Sequence, residues 1–241
     1  MGYSKESKPV TLNVIDNCWR KDSNWADNRE ILADCAIGYG SRATGGKGGK
    51  IYRVTSPLDD PVNPKPHTLR YAVTRPGPLW IIFAKDMKIM LKMPLLMTSH
   101  KTIDGRGANV HISDGPCIYL YNISNIIIHD LTIHHCKPSQ FGYVNWYGSL
   151  VESMAGSDGD SISVLASRDI WIDHNTLYSS ADGLIDVTLA STAITISNNR
   201  FSYHDKVMLL GHDDSYSADK AMKVTVAFNH FGPGCGQRMP R

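Results

Sequence analysis

The chain has 241 residues, 42% of them hydrophobic and 20% charged, with a formal net charge of +2 that leaves 10 histidines uncounted. That balance is globular and not that of a disordered chain, and no lysine and arginine block marks a nucleic-acid arm. No apolar run approaches the roughly 20 residues that cross a bilayer, so neither nucleic acid nor a membrane is an expected partner, and a monomer is expected.

The polar opening "MGYSKESKPV" shows no signal peptide, and Glu6 stands where a myristoylation signal at Gly2 needs Ser or Thr. Residues 23–35, "SNWADNREILADC", place Trp25, Leu32 and Cys35 near helical spacing behind Ser23 as an N-cap; a short N-terminal capping helix is predicted there. Cys18 with Cys35, and Cys117 with Cys136, would each close a short loop, leaving Cys235 over. Such local pairs read as disulfides of a secreted chain, with free thiols as the alternative. "DDPVNPKP" at 59–66 is a loop, because proline has no N–H for a ladder. "LWIIFA" at 79–84 is strand-sized, and "TIDGRGANVHIS" at 102–113 reads as an early coil of a repeat. Asn122 heads a glycosylation sequon with Ile123 and Ser124.

In the second half a repeat emerges. "IWIDHN" at 170–175, "ITISNN" at 194–199 and "VTVAFN" at 224–229 superimpose, matching Asn175, Asn199 and Asn229. Short aliphatic runs lie between them, with no helix-length periodic segment, which argues against a doubly wound α/β fold. Short strands recurring every 20 to 30 residues mark a solenoid. An antiparallel sandwich with Asn-rich turns is the plainer alternative. The asparagine register favours an all-β parallel β-helix, in which stacked asparagines bond along the axis. Residues 1–50 would form an N-terminal extension and cap, and residues 51–241 the β-helix, as one domain.

Two acidic pairs stand out. "SDGDSISV" at 157–164 carries Asp158 and Asp160, and "SSADGLIDVTL" at 179–189 carries Asp182 and Asp186. Each pair has the even spacing that puts side chains on one face of an extended chain. Asp-Gly alone is usually a turn. Two such pairs one repeat apart would crowd carboxylates on neighbouring strands unless a cation bridges them, and an oxygen-only donor set favours Ca2+ over zinc. The scattered histidines match no zinc spacing. Lys206 follows Asp186 by about one repeat and could meet a substrate carboxylate, while Arg238 and Arg241 flank Met239-Pro240.

These stretches together resemble the plant pectate lyases of polysaccharide lyase family 1, including the related pollen allergens. The resemblance runs from "DNCWR", "NWADNR", "LADCAIGYG" and "GGKGGKIYRVT" through "KTIDGRGANVHI", "DGDSISV", "IWIDHN" and "ADGLIDV" to "KVMLLGHDDSY" and "VTVAFNHFGPGCGQRMPR". It implies a right-handed parallel β-helix and calcium-dependent β-elimination of polygalacturonate (pectate) in the cell wall, by a secreted protein. Residue by residue, it implies that Asp158, Asp160, Asp182 and Asp186 hold Ca2+, that Lys206 and Arg241 meet substrate, and that Arg238 is the catalytic base. Arginine is ordinarily protonated, so that last role rests on the resemblance alone. Trp171, Asp173 and His174 are expected as supporting structure beside the site. The second arginine of the family pattern would fall two residues past Arg241, so further coils are expected beyond this chain, and a pectin-binding homologue without turnover is the alternative function.

Overall fold

The structure, a computed structural model, describes residues 12–241; the polar opening stretch and Gly2 lie outside the described residues. Alternating aliphatic side chains set its geometry. In Ile162–Leu165 and Ile185–Thr188, the side chains of Ile162, Val164, Ile185 and Val187 are fully buried, while Asp186 points the other way. Neighbouring turns repeat this choice, so the strands of each rung stack on their equivalents and the aliphatic columns merge into one continuous core.

Three stacked parallel sheets result, with a short parallel pair, His204–Lys206 with Cys235–Gln237, beside them. A long sheet stacks Lys50–Val54, Leu79–Phe83, Lys101–Asp104, Ser124–His129, Arg168–Asp173, Thr192–Ser197 and Val224–Ala227. A second stacks Ile118–Tyr121, Ile162–Leu165, Ile185–Thr188 and Met208–Leu210. A third runs from Met87–Ile89 to His230–Phe231. The chain visits the long, third and second sheets in turn and then climbs one rung, which is a parallel β-helix. The superimposed segments are in register, with Ile170 opposite Ile194 and Ile194 opposite Val224.

The asparagine ladder is present. Asn175 donates Nδ2–H to Asn199 Oδ1 (3.0 Å), and Asn199 donates Nδ2–H to Asn229 Oδ1 (3.1 Å). Immediately before each asparagine, His174, Asn198 and Phe228 take left-handed backbone (φ 57°, 54° and 59°), which turns the chain from the long sheet into the third. The longer second interval has a local cause. Between Leu210 and Val224 the chain loops out through a 3-10 turn, Ser217–Ala221, whose Asp219 Oδ1 accepts from the Ala190 N–H (2.6 Å).

The N-terminal segment differs from its prediction. The α-helix is Val14–Trp19, where Asn13 Oδ1 accepts from the N–H groups of Ile15 and Asp16. Residues 23–35 instead form turns and a 3-10 stretch, Arg29–Cys35. Tertiary demands outweigh the helical spacing, because Arg29 must reach the buried Asp104 carboxylate (3.0 Å) and the Arg106 carbonyl (3.1 Å). This segment covers the flank of the long sheet, with Ile15, Trp19 and Leu32 packed on Trp80, Ile127 and Trp171. The end of the solenoid is closed by a helix that the sequence reading missed, Leu69–Val73, capped by Thr68, with Leu69, Ala72 and Val73 in the main core. Its buried Arg70 pairs with Asp59 from the expected loop (2.6 Å). Cys18–Cys35 and Cys117–Cys136 are disulfides, and Cys235 is a free thiol.

Candidate active site

The acidic residues gather on the outer face of the second sheet. Asp182, Asp158 and Asp160 are not in strands; they occupy the turns that lead into Ile185–Thr188 and Ile162–Leu165. Parallel stacking superimposes those turns, because Ile162 pairs with Ile185. One carboxylate oxygen from each of Asp158, Asp160 and Asp182 lies within 4.8 Å of the other two. Asp186, on the strand itself, stands beside this trio. Two glycines make the approach possible. Gly159 has φ 103°, which lets both flanking aspartates face the cluster. A Cβ on Gly183 would lie 2.5 Å from Asp186 Oδ1 and 2.8 Å from Asp160 Oδ1.

The electrostatics are those of an anionic pocket short of cations. Burial, then the charge of Asp158, pushes the Asp160 carboxyl up to about 6, although it accepts from the Gly183 N–H (2.6 Å) and the Ser163 hydroxyl (3.0 Å). Burial, then Asp160, pushes Asp186 up to about 7, with Arg238 opposing. Asp186 Oδ1 is buried without a hydrogen-bond partner. A free, buried carboxylate oxygen beside three convergent carboxylates is costly without a cation. The donors are all hard oxygens, so these residues fit a calcium ion and not a zinc ion.

Basic residues edge the cluster. Lys206 Nζ donates to the Asp182 carboxylate, and that contact raises the lysine. Arg238 sits in left-handed backbone (φ 58°), its amide carbonyl accepting from the Met208 N–H (2.7 Å), and its Nε is buried without a partner. Arg241 is exposed. Its main chain pairs with Met208 and Leu210, and its side chain lines a neighbouring hollow of about 410 Å³ with Arg238, His212 and Lys220. His212 also lines the hollow of about 560 Å³ that holds Asp158, Asp160 and Asp186, so the two hollows form one cleft.

Ser163, Gly183, Tyr119 and His212 also belong to this cleft and were not singled out from sequence. Only register places them: Ser163 pairs with Asp186 on one side and Tyr119 on the other. Conversely, Trp171, Asp173 and His174 are not beside the acidic cluster. They lie on the long sheet under the N-terminal segment, where Trp171 alternates outward from the core and is covered by that segment. Asp173 accepts from His174 Nδ1 (2.5 Å) and Ser197 Oγ (2.6 Å), and His174 Nε2 meets Asp16 Oδ1 (2.9 Å). Burial alone would raise Asp173, but its contacts with His129 and His174 hold it well below the usual carboxylate range. This network fastens the N-terminal helix to the sheet.

Fold and site together define a parallel β-helix protein with an acidic, lysine- and arginine-edged cleft on one sheet. Comparison with known proteins agrees. Residues 85–241 match the pectate lyase family model. A pectate lyase of Zinnia elegans is 61% identical over 96% of this chain and 58% of its own length. Pectate lyase 1 of Cryptomeria japonica is 59% identical over 95% of this chain and 62% of its own length. The crystal structure of jun a 1, the major allergen from cedar pollen, superimposes with a TM-score of 0.94 at 59% identity, covering 95% of this chain and 67% of that one. The chain belongs to the pectate lyase family, and it spans less than two thirds of the length of these curated relatives.

Proposed function

We propose that the protein is a calcium-dependent pectate lyase, which cleaves polygalacturonate by β-elimination and leaves 4,5-unsaturated oligogalacturonides. The observation that carries this reading is the convergence of Asp158, Asp160 and Asp182 within 4.8 Å, with Asp186 beside them and Lys206 and Arg238 at their edge. The family match and the relatives named pectate lyase support it. The two disulfides fit an oxidising compartment, and the proposed location is the cell wall.

Each galacturonate unit carries a carboxylate at C6, next to the C5 hydrogen. Asp158, Asp160, Asp182 and Asp186 would hold calcium, which, when bound, neutralises the uronate carboxylate and acts as a Lewis acid toward the charge that builds at C5 deprotonation. Lys206, oriented by Asp182, offers the same carboxylate a second positive contact. Arg238 takes the C5 proton as one of its own guanidinium protons passes on to water, so that the side chain ends the step in the form in which it began. The C5–H electron pair becomes the C4–C5 double bond, the C4–O bond breaks, and the departing oxygen leaves with a proton from water. Arg241, on the adjoining hollow, meets a neighbouring uronate along the polymer.

The test is incubation with polygalacturonate, with and without chelator. Ultraviolet absorbance of an unsaturated product that disappears with chelator is the expected result. New reducing ends without absorbance would identify a hydrolase and refute the lyase.

A further inference from the structure

The outward face of the second sheet continues past the acidic cluster. Tyr119 pairs with Ser163, which pairs with Asp186, so Tyr119 lies in the same outward column as that carboxylate. Tyr121 follows two residues on, opposite Leu165. Above them stands an antiparallel hairpin, Gly142–Tyr147 with Leu150–Met154. It is anchored by the fully buried Val144, which packs with Met93 and Leu96.

Between hairpin and sheet is a hollow of about 430 Å³, walled by Tyr119, Tyr121, Trp146, Leu96, Met154 and Glu152. The Tyr121 and Trp146 rings are 6.0 Å apart and tilted by 55°, so they form an open aromatic corner. Tyr121 is 41% exposed, which leaves a ring face free. The hollow shares Tyr119, Ala155 and Gly156 with the acidic hollow, so a polymer lying on the aspartates runs directly into it.

Its chemistry is opposite to that of the acidic hollow's basic edge. Glu152 is the only charged residue of the lining, and it makes no ion pair among the described residues. A galacturonate carboxylate placed here would meet a glutamate and no cation. A sugar ring presents C–H groups to an aromatic face, and a methyl ester removes the uronate charge. We propose that this aromatic hollow is a remote subsite for a methyl-esterified galacturonosyl unit, so that the protein grips partly esterified pectin with a charged unit on the aspartates and a neutral one against Tyr121 and Trp146. The inference rests on the polygalacturonate reading above.

Retardation in gels containing either fully de-esterified polygalacturonate or partly methyl-esterified pectin, with calcium present and every variant built on an Arg238→Lys parent that does not turn the polymer over, reads binding alone. Tyr121→Ala should lose roughly three- to tenfold affinity for partly esterified pectin, the scale of one aromatic contact, and keep its affinity for polygalacturonate. Glu152→Lys should shift the preference toward polygalacturonate by supplying the missing cation. Tyr143→Ala, on the same hairpin but outside the hollow, should change neither. If Tyr121→Ala weakens both equally or neither, or Glu152→Lys leaves the ratio unchanged, the subsite is refuted while the lyase reading stands. If neither polymer retards the Arg238→Lys parent, both readings fall together. Circular dichroism checks that Tyr121→Ala folds, and the solvent-exposed Glu152→Lys tests the same point without removing an aromatic ring.

Discussion

Replacing Asp186 by Asn tests the electrostatic account of the cleft. In the metal-free fold Asp186 is pushed from an ordinary 3.8 up to about 7, by burial first and Asp160 second. A native carboxyl that holds its proton more tightly than the unfolded chain does makes stability fall as pH rises. The loss begins near the ordinary value and is complete above about 7. At about 1.4 kcal/mol per tenfold change in affinity, ionising this group costs about 4 kcal/mol at most, and solvent at the cleft mouth reduces that to about 2 kcal/mol. Asn keeps the shape and removes the charge. In chelator at pH 8 the variant should therefore melt ~4–8 °C above wild type, the shift expected for ~2 kcal/mol at this chain length. At pH 4 the two should coincide. Added calcium should stabilise wild type markedly and the variant little. Differential scanning calorimetry with chelator and with millimolar calcium reads all three. If the variant in chelator keeps the wild-type decline between pH 4 and 8, or melts below wild type at pH 8, the reasoning is wrong.

Three further outcomes follow from the same geometry. Arg238→Lys should abolish turnover on polygalacturonate yet leave calcium affinity by calorimetry unchanged, and undiminished turnover would remove Arg238 as the base. Gly183→Ala inserts a methyl group 2.5 Å from Asp186 Oδ1, so calcium affinity should drop by about tenfold, equivalent to ~1.4 kcal/mol, with little change in melting temperature in chelator; an unchanged calcium isotherm would show the carboxylates to be more mobile than the packing implies. Asn199→Ala deprives the Asn175 N–H and the Ile172 carbonyl of their partners and should cost about 3 kcal/mol in urea denaturation, since each orphaned buried group costs ~1–3 kcal/mol. A loss below 1 kcal/mol would mean that the ladder merely accompanies the stacking of the strands.

The repeat was legible because a solenoid writes its geometry into the chain at a fixed interval. Asn175, Asn199 and Asn229 recur because each must serve the same turn, and the aliphatic columns of Ile170, Ile194 and Val224 recur because each rung faces the same core. The acidic residues were legible for a related reason, since like charges one rung apart are unfavourable unless something binds them. The N-terminal segment has no such interval. Its 23–35 stretch satisfies helical spacing locally, yet Arg29 and Trp25 are claimed by Asp104 and Arg106 from a distant coil.

The order of short strands, the asparagine spine and the residue types of the proposed oxygen-donor cation site were therefore determined by the sequence itself, because each depends on neighbours at a constant offset. Tertiary structure alone decided which turns superimpose. It brought Asp158, Asp160 and Asp182 together while leaving Asp186 to one side, and put Arg238 on the cleft. It moved Trp171, Asp173 and His174 to another sheet and set the hairpin aromatics against Tyr121. Those contacts join residues of unequal and irregular separation. The energy that selects them comes from burial and charge in the assembled coil, which no local spacing records.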